Sequence, residues 1–219
     1  MNNISLKPWS VESKVIDLIQ EVAQLFAKHD LCFGHGTDNP LDEANALIFF
    51  VLGIDYLDVE AVSSKRVSLE DFERIMELVN QRIYDRKPLA YLTQEAFFCG
   101  HKFYVDERVL VPRSPIAELI QNQFLPWIEA SSVQCVLDVA TGSGCLAISI
   151  AKSLPGVDVV ASDVSEGALE VANINIDNLI KENNIVFVDI SADWCVTCQF
   201  NKLNVINSNM IQKIFKENN

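Results

Sequence analysis

Apolar residues recur at helical spacing three times in the first third of the chain. Val11, Val15, Leu18, Ile19, Val22, Leu25 and Phe26 line one face of a helix that Ser10 can cap and that runs to about Lys28. A second helix is signalled by Asp38, Asn39 and Pro40 as cap and first position, with Asp42 and Glu43 in its first turn and Gly53 as its stop. A third starts at Ser68, where a capping box closes with Asp71, and carries Phe72, Ile75, Met76, Val79 and Ile83 on one side. Three amphipathic helices with facing apolar stripes predict a small helical unit over residues 1–85.

The period changes after Arg86. Phe97 and Phe98, then Phe103, Tyr104 and Val105, flank Gly100 and His101 as two strands flank a turn, so residues 86–114 are read as a hairpin linker. Beyond Pro112 and Pro115 a helix runs to about Phe124. Strands and helices then alternate: strand Val133 to Val139, helix Gly144 to Leu154, strand Val157 to Ser162, helix Glu166 to Ile180. Such alternation predicts a parallel sheet covered by helices. After the polar break Lys181 to Asn184 comes a β-branched strand, Ile185 to Ile190, and then a helix start. Met210, Ile211, Ile214 and Phe215 recur at helical spacing near the end.

Composition narrows the function classes. The 219 residues carry a formal charge of -13, and clustered Lys and Arg, which phosphate backbones require, are missing. Direct nucleic-acid binding is therefore disfavoured; the acidic surface either serves only to keep the chain soluble or attracts a basic protein substrate. The longest apolar run, Ala46 to Gly53, is far short of the roughly 20 residues that cross a bilayer. The N-terminus lacks a secretory pattern, and Cys32, Cys99, Cys135 and Cys145 have no paired spacing; together these point to a cytoplasmic protein with reduced, structural thiols.

Two motifs carry chemistry. In the first, a strand ending at Asp138 runs through Ala140, Thr141, Gly142, Ser143 and Gly144 into a helix. Missing side chains there let a ligand lie against backbone at a helix N-terminus. An acid at the end of the next strand accepts hydrogen bonds from ribose hydroxyls, and Asp163 occupies that place. The third glycine of the dinucleotide fingerprint is absent, which disfavours NAD and FAD against S-adenosylmethionine.

With these residues stand Arg86-Lys-Pro-Leu-Ala-Tyr91, Phe97-Phe-Cys-Gly100, the stretch Phe103 to Glu118 with its Pro-Arg-Ser-Pro-Ile-Ala-Glu form, and Leu137 to Cys145. Over roughly residues 10–180 the chain resembles the class I S-adenosylmethionine-dependent protein-glutamine methyltransferases of the PrmB and HemK type, in the branch that modifies large-subunit ribosomal protein number three. The resemblance implies that Ala140 to Gly144 wrap the methionine and ribose end of the cofactor, that Asp163 holds the ribose hydroxyls, and that Arg113 supports the site from the linker side. It also implies a basic ribosomal protein as substrate, positioned with help from the helical unit. One departure bears on activity. The family aims the glutamine amide with an Asn-Pro-Pro-Tyr motif after the fourth strand; these 219 residues contain no Pro-Pro, and Asn39-Pro40 begins a helix near the N-terminus. Methyl transfer is therefore expected to be impaired.

The second motif is Ile185 to Cys198, in which a strand feeds Trp194-Cys-Val-Thr-Cys198 at a helix start. That placement lowers the first thiol's pKa, making Cys195 the nucleophile and Cys198 the resolving thiol. The segment resembles the C-terminal thioredoxin-like domain of DsbD-type thiol:disulfide reductases, and on that resemblance Asp189 matches the buried acid that helps deprotonate the resolving cysteine. Zinc is disfavoured, because no second cysteine pair or paired histidine supplies two further ligands. Alternatively, Ile185 to Ile190 serves as the third strand of the methyltransferase sheet, and Asp193 and Trp194 fall near an adenine contact.

The resulting expectation is an α/β chain with a helical substrate-binding unit, a hairpin linker, a partial Rossmann-like cofactor domain over residues 115–183, and a thioredoxin-derived strand and helices over residues 184–219. Its function by resemblance is protein-glutamine methylation. The alternatives are thiol:disulfide exchange through Cys195 and Cys198, and an inactive fusion or truncated remnant.

Overall fold

In the computed structural model the described residues are 14–34, 36–55, 65–181 and 188–190. The chain forms two compact units, residues 1–95 and 96–219.

The first unit is built from α1 (Val15–Lys28), α2 (Pro40–Leu52), α3 (Leu69–Tyr84) and the short α4 (Leu89–Thr93). The expected stripes form its core: Val15, Leu18, Ile19, Val22 and Phe26 of α1 pack with Leu47 and Ile48 of α2 and with Ile75, Val79 and Ile83 of α3. Asn39 caps α2, its side chain accepting from the N–H groups of Leu41 and Asp42, and Gly53 ends it in the left-handed conformation. Ser68 caps α3 by accepting from the Asp71 N–H and donating to the Asp71 carboxylate.

The α1 start differs from the expectation. Ser10 lies outside the described residues, and the helix begins only at Val15, because Lys14 is extended and bridges Arg66 antiparallel. A tertiary strand contact thus replaces a local cap.

One buried ion pair closes this unit. Arg82 of α3 donates to Glu43 of α2, both nearly inaccessible, and also to the Cys32 carbonyl at 2.8 Å, while Thr37 donates to the second Glu43 oxygen at 3.0 Å. Every charge taken from water there finds a partner, as burial of charge demands.

In the second unit, β1 (Glu95–Phe98) and β2 (His101–Tyr104) pair around Cys99 and Gly100, both at positive φ, giving the expected hairpin. α5 (Ile116–Gln121) is shorter than its apolar pattern suggested, since Gln123 and Phe124 take positive φ and the chain turns away.

A three-stranded parallel sheet follows, in the order β3 (Cys135–Val139), β4 (Asp158–Ser162), β5 (Val188–Ile190). It is connected by α6 (Cys145–Ser153) and α7 (Glu166–Lys181), as parallel strands require a crossover. Ala147, Ile148 and Ile150 of α6 and Leu179 of α7 share a core with Val159 and Ala161 of β4. On the other face of β3, Leu137 and Val139 remain 63% and 69% exposed.

Two expectations about this region need correction or limitation. β3 begins at Cys135 rather than Val133, because Ala130–Ser132 form a 3₁₀ turn in which Ser132 donates to the Glu129 carbonyl. The segment read as thioredoxin-derived enters the sheet through β5, which pairs parallel with β4, Val159 to Val188 through Ala161 to Ile190. This is the arrangement of the alternative in which the strand continues the methyltransferase-like sheet. The thioredoxin-derived helices expected beyond it lie outside the described residues.

Candidate functional site: the β3–α6 loop

Asp138 and Val139 end β3, and the chain then makes three left-handed residues in five: Ala140 at φ 61°, Gly142 at 58° and Gly144 at 78°. Glycine accommodates such angles without strain; alanine does not, and a non-glycine residue held there marks a conformation that the surroundings enforce.

The enforcing bonds are specific. Thr141 is buried, donates its hydroxyl to the Asp138 carboxylate at 2.7 Å, and donates its N–H to the Ser162 carbonyl at 3.0 Å. Gly142 donates its N–H to Asp163 Oδ2 at 2.9 Å, and Gly144 donates to the Thr141 carbonyl at 3.0 Å. The other Asp163 oxygen accepts from Ser165 N–H at 2.9 Å, and Ser165 in turn caps α7 by accepting from Ala168.

These bonds bring together Asp138, Thr141, Gly142 and Asp163 from the ends of β3 and β4, with Ser143 and Gly144 closing the turn. Ligands of open α/β sheets bind at that carboxyl end. Arg113 is not among the groups joined by these bonds; it stands exposed on the extended segment between β2 and α5. Asp189 lies in β5 opposite Val160, and Cys195 and Cys198 lie outside the described residues.

Three features suit a nucleoside-bearing cofactor. A Cβ built on Gly142 meets nothing within 4 Å, so a ligand can approach the backbone there. No side chain caps α6 at Gly144, which leaves its first-turn N–H groups to solvent or ligand. Each Asp163 oxygen has accepted one backbone N–H and keeps acceptor capacity for a pair of hydroxyls. Val139 and Val164, 69% and 80% exposed at the strand ends, add apolar surface beside the acid.

Cys145 stands first in α6, where a helix N-terminus by itself lowers a thiol pKa. Burial wins instead and pushes it up to about 11, so the thiol stays protonated at neutral pH. The structural reading of this cysteine follows from that environment.

Asn175 escaped the sequence reading. It is buried on α7, donates to the Ser143 carbonyl at 2.9 Å and the Tyr104 carbonyl at 3.0 Å, and accepts from the Tyr104 N–H. Its signal was available: a polar residue on the apolar stripe of Ala168, Val171, Ala172 and Leu179.

Residues 121–209 match the methyltransferase small domain, and residues 17–93 match the PrmC N-terminal domain. The ribosomal protein uL3 glutamine methyltransferase of Burkholderia pseudomallei is 42% identical over 165 residues, 75% of this chain and 54% of that protein. That of Xylella fastidiosa is 42% identical over 169 residues, 77% of this chain and 54% of its own length. The chain spans about half the length of the curated relatives it matches. A crystal structure of the N-terminal domain of human METTL16 in complex with SAH superposes over 66% of this chain and 52% of its own, with a TM-score of 0.31 at 14% identity. The bounds of the small-domain match enclose the polar break at Lys181 to Asn184 and β5. The α/β unit that carries the Ala140–Gly144 loop is methyltransferase-like, and its cofactor is S-adenosylmethionine.

Proposed function

We propose that this chain derives from an S-adenosylmethionine-dependent enzyme that N-methylates a glutamine side chain of ribosomal protein uL3, and that it keeps the cofactor half of that site. The observation that carries the reading is the bond from Gly142 N–H to Asp163, which joins the glycine turn to the acid that would hold a ribose. The two uL3 glutamine methyltransferases support the acceptor class. When bound, the cofactor supplies a methyl group on a sulfonium centre. The chain's contribution is placement: Gly142, beside which a side chain would meet nothing, lets it approach the backbone, and Asp163 orients the sugar.

On the acceptor side these 219 residues contain no Asn-Pro-Pro-Tyr, the motif that in the resembled family holds the glutamine nitrogen in line. The reading therefore separates binding from turnover. Calorimetric titration with S-adenosylmethionine should show saturable binding. Asp163→Ala should weaken it ten-fold or more, since a hydrogen bond to a charged group contributes about 1.5–3 kcal/mol. No binding to the parent chain at millimolar cofactor would remove the proposal.

A second reading, thiol:disulfide exchange, is favoured by one feature: a β-strand, Val188–Ile190, ends five residues before Cys195. It requires Cys195 to be alkylated at mildly acidic pH ahead of Cys198 and of the other four thiols. Uniform labelling of all six cysteines would discard it.

A further inference from the structure

We propose that Asn175 is a positioning residue for the cofactor loop, acting through the Ser143 carbonyl rather than by touching the ligand; this rests on the cofactor reading above. A carboxamide is the group that can meet this position's demands, because it must donate twice and accept once inside a buried site. Its two N–H bonds go to the carbonyls of Ser143 and Tyr104, and its oxygen takes the Tyr104 N–H. Ser143 thereby gains a fixed peptide orientation between the two left-handed glycines, and the turn is braced against the exit of the β1–β2 hairpin.

The brace has a neighbour that serves as a control. Arg108, just beyond the hairpin, bonds Asp106 and Glu170 and lies against Gly167, so it too ties this segment to α7. It makes no bond to the glycine turn. Asn175, by contrast, joins hairpin, helix and loop at one side chain. Gly144 shows how closely the same helix backs the turn, since a Cβ there would meet the Ala172 Cβ at 3.2 Å.

The experiment uses the full chain with Asn175→Asp, Asn175→Ala and Glu170→Ala. The isosteric aspartate still accepts from Tyr104, but it loses both donors and turns a charge on two carbonyl oxygens. Both Asn175 variants are expected to lose ten-fold or more in S-adenosylmethionine affinity. Amide hydrogen exchange at residues 141–145 should accelerate in both, and Glu170→Ala should bind within two-fold of the parent. Lowering the pH should restore part of the Asn175→Asp deficit relative to the parent at the same pH, because the protonated acid regains one donor. Acceleration of exchange confined to residues 141–145, with the rest of the second unit unchanged, is something a merely structural role would not produce.

Asn175 variants that melt earlier yet bind like the parent would overturn the proposal, as would failure of both to fold. If the parent itself does not bind the cofactor, the functional reading fails separately. Exchange at residues 141–145 then still decides: acceleration confined to the Asn175 variants upholds the brace, and unchanged exchange refutes it.

Discussion

Gly144→Val is expected to destabilise the second unit by several kcal/mol and to abolish S-adenosylmethionine binding. Gly144 holds φ 78°, where a β-branched residue is a true outlier, and a Cβ would stand 3.2 Å from both Ala172 Cβ and Ile148 Cδ1. Left-handed strain costs about 1–3 kcal/mol and forced overpacking about 1–3 kcal/mol more. Gly142→Ala provides the contrast. Its φ is 58°, but its Cβ meets nothing within 4 Å, so only the conformational term applies. Urea unfolding of the two variants should separate strain from crowding, and equal stabilities would show that α7 does not back the turn as described.

Methyl transfer by the parent chain is expected to be all but absent. Incubation with methyl-labelled S-adenosylmethionine and unmodified uL3 should leave the glutamine unlabelled, at least about a hundred-fold below a protein bearing the full acceptor motif. Misplacing an acceptor by an ångström already costs about that much. Mass spectrometry of the acceptor peptide reads this directly. Robust incorporation would mean that other residues orient the glutamine and that the Asn-Pro-Pro-Tyr argument is mistaken.

Most of this architecture was legible because it is periodic. The α1, α2 and α3 stripes, the Asn39 and Ser68 caps, Gly53 as a stop and the alternation from β3 to α7 all arise from interactions within a few residues. The losses occurred where distant contacts decide. Lys14 stays extended because it meets Arg66, 52 positions later in the sequence, and no local propensity encodes that bridge. α5 stops at Gln121 because the chain turns through left-handed Gln123 and Phe124, residue types that rarely announce such angles.

The site divides in the same way. Asp138, the glycine turn and Asp163 were readable from strand ends and spacing, and the bonds from Thr141 and Gly142 join them. Asn175 stands out in the sequence only as a polar residue on an apolar stripe; its role, accepting from Tyr104 and donating to Ser143, depends on residues 71 and 32 positions away. The C-terminal strand shows the limit of a motif taken alone. Ile185 to Ile190 has the composition that precedes a redox cysteine pair, yet its described part, β5, pairs parallel with β4 beside β3. β-branched residues suit any buried strand, so composition could not choose the sheet.

Whether Ala140 to Gly144 together with Asp163 form a cofactor site can be read from the backbone amide resonances of the isotopically labelled chain during titration with S-adenosylmethionine. Saturable shifts concentrated at Gly142, Ser143, Gly144, Asp163 and Val164 are expected, and their loss in Asp163→Ala. Resonances of these residues that stay in place at millimolar cofactor, or shifts confined to the helical unit of residues 1–95, would contradict it.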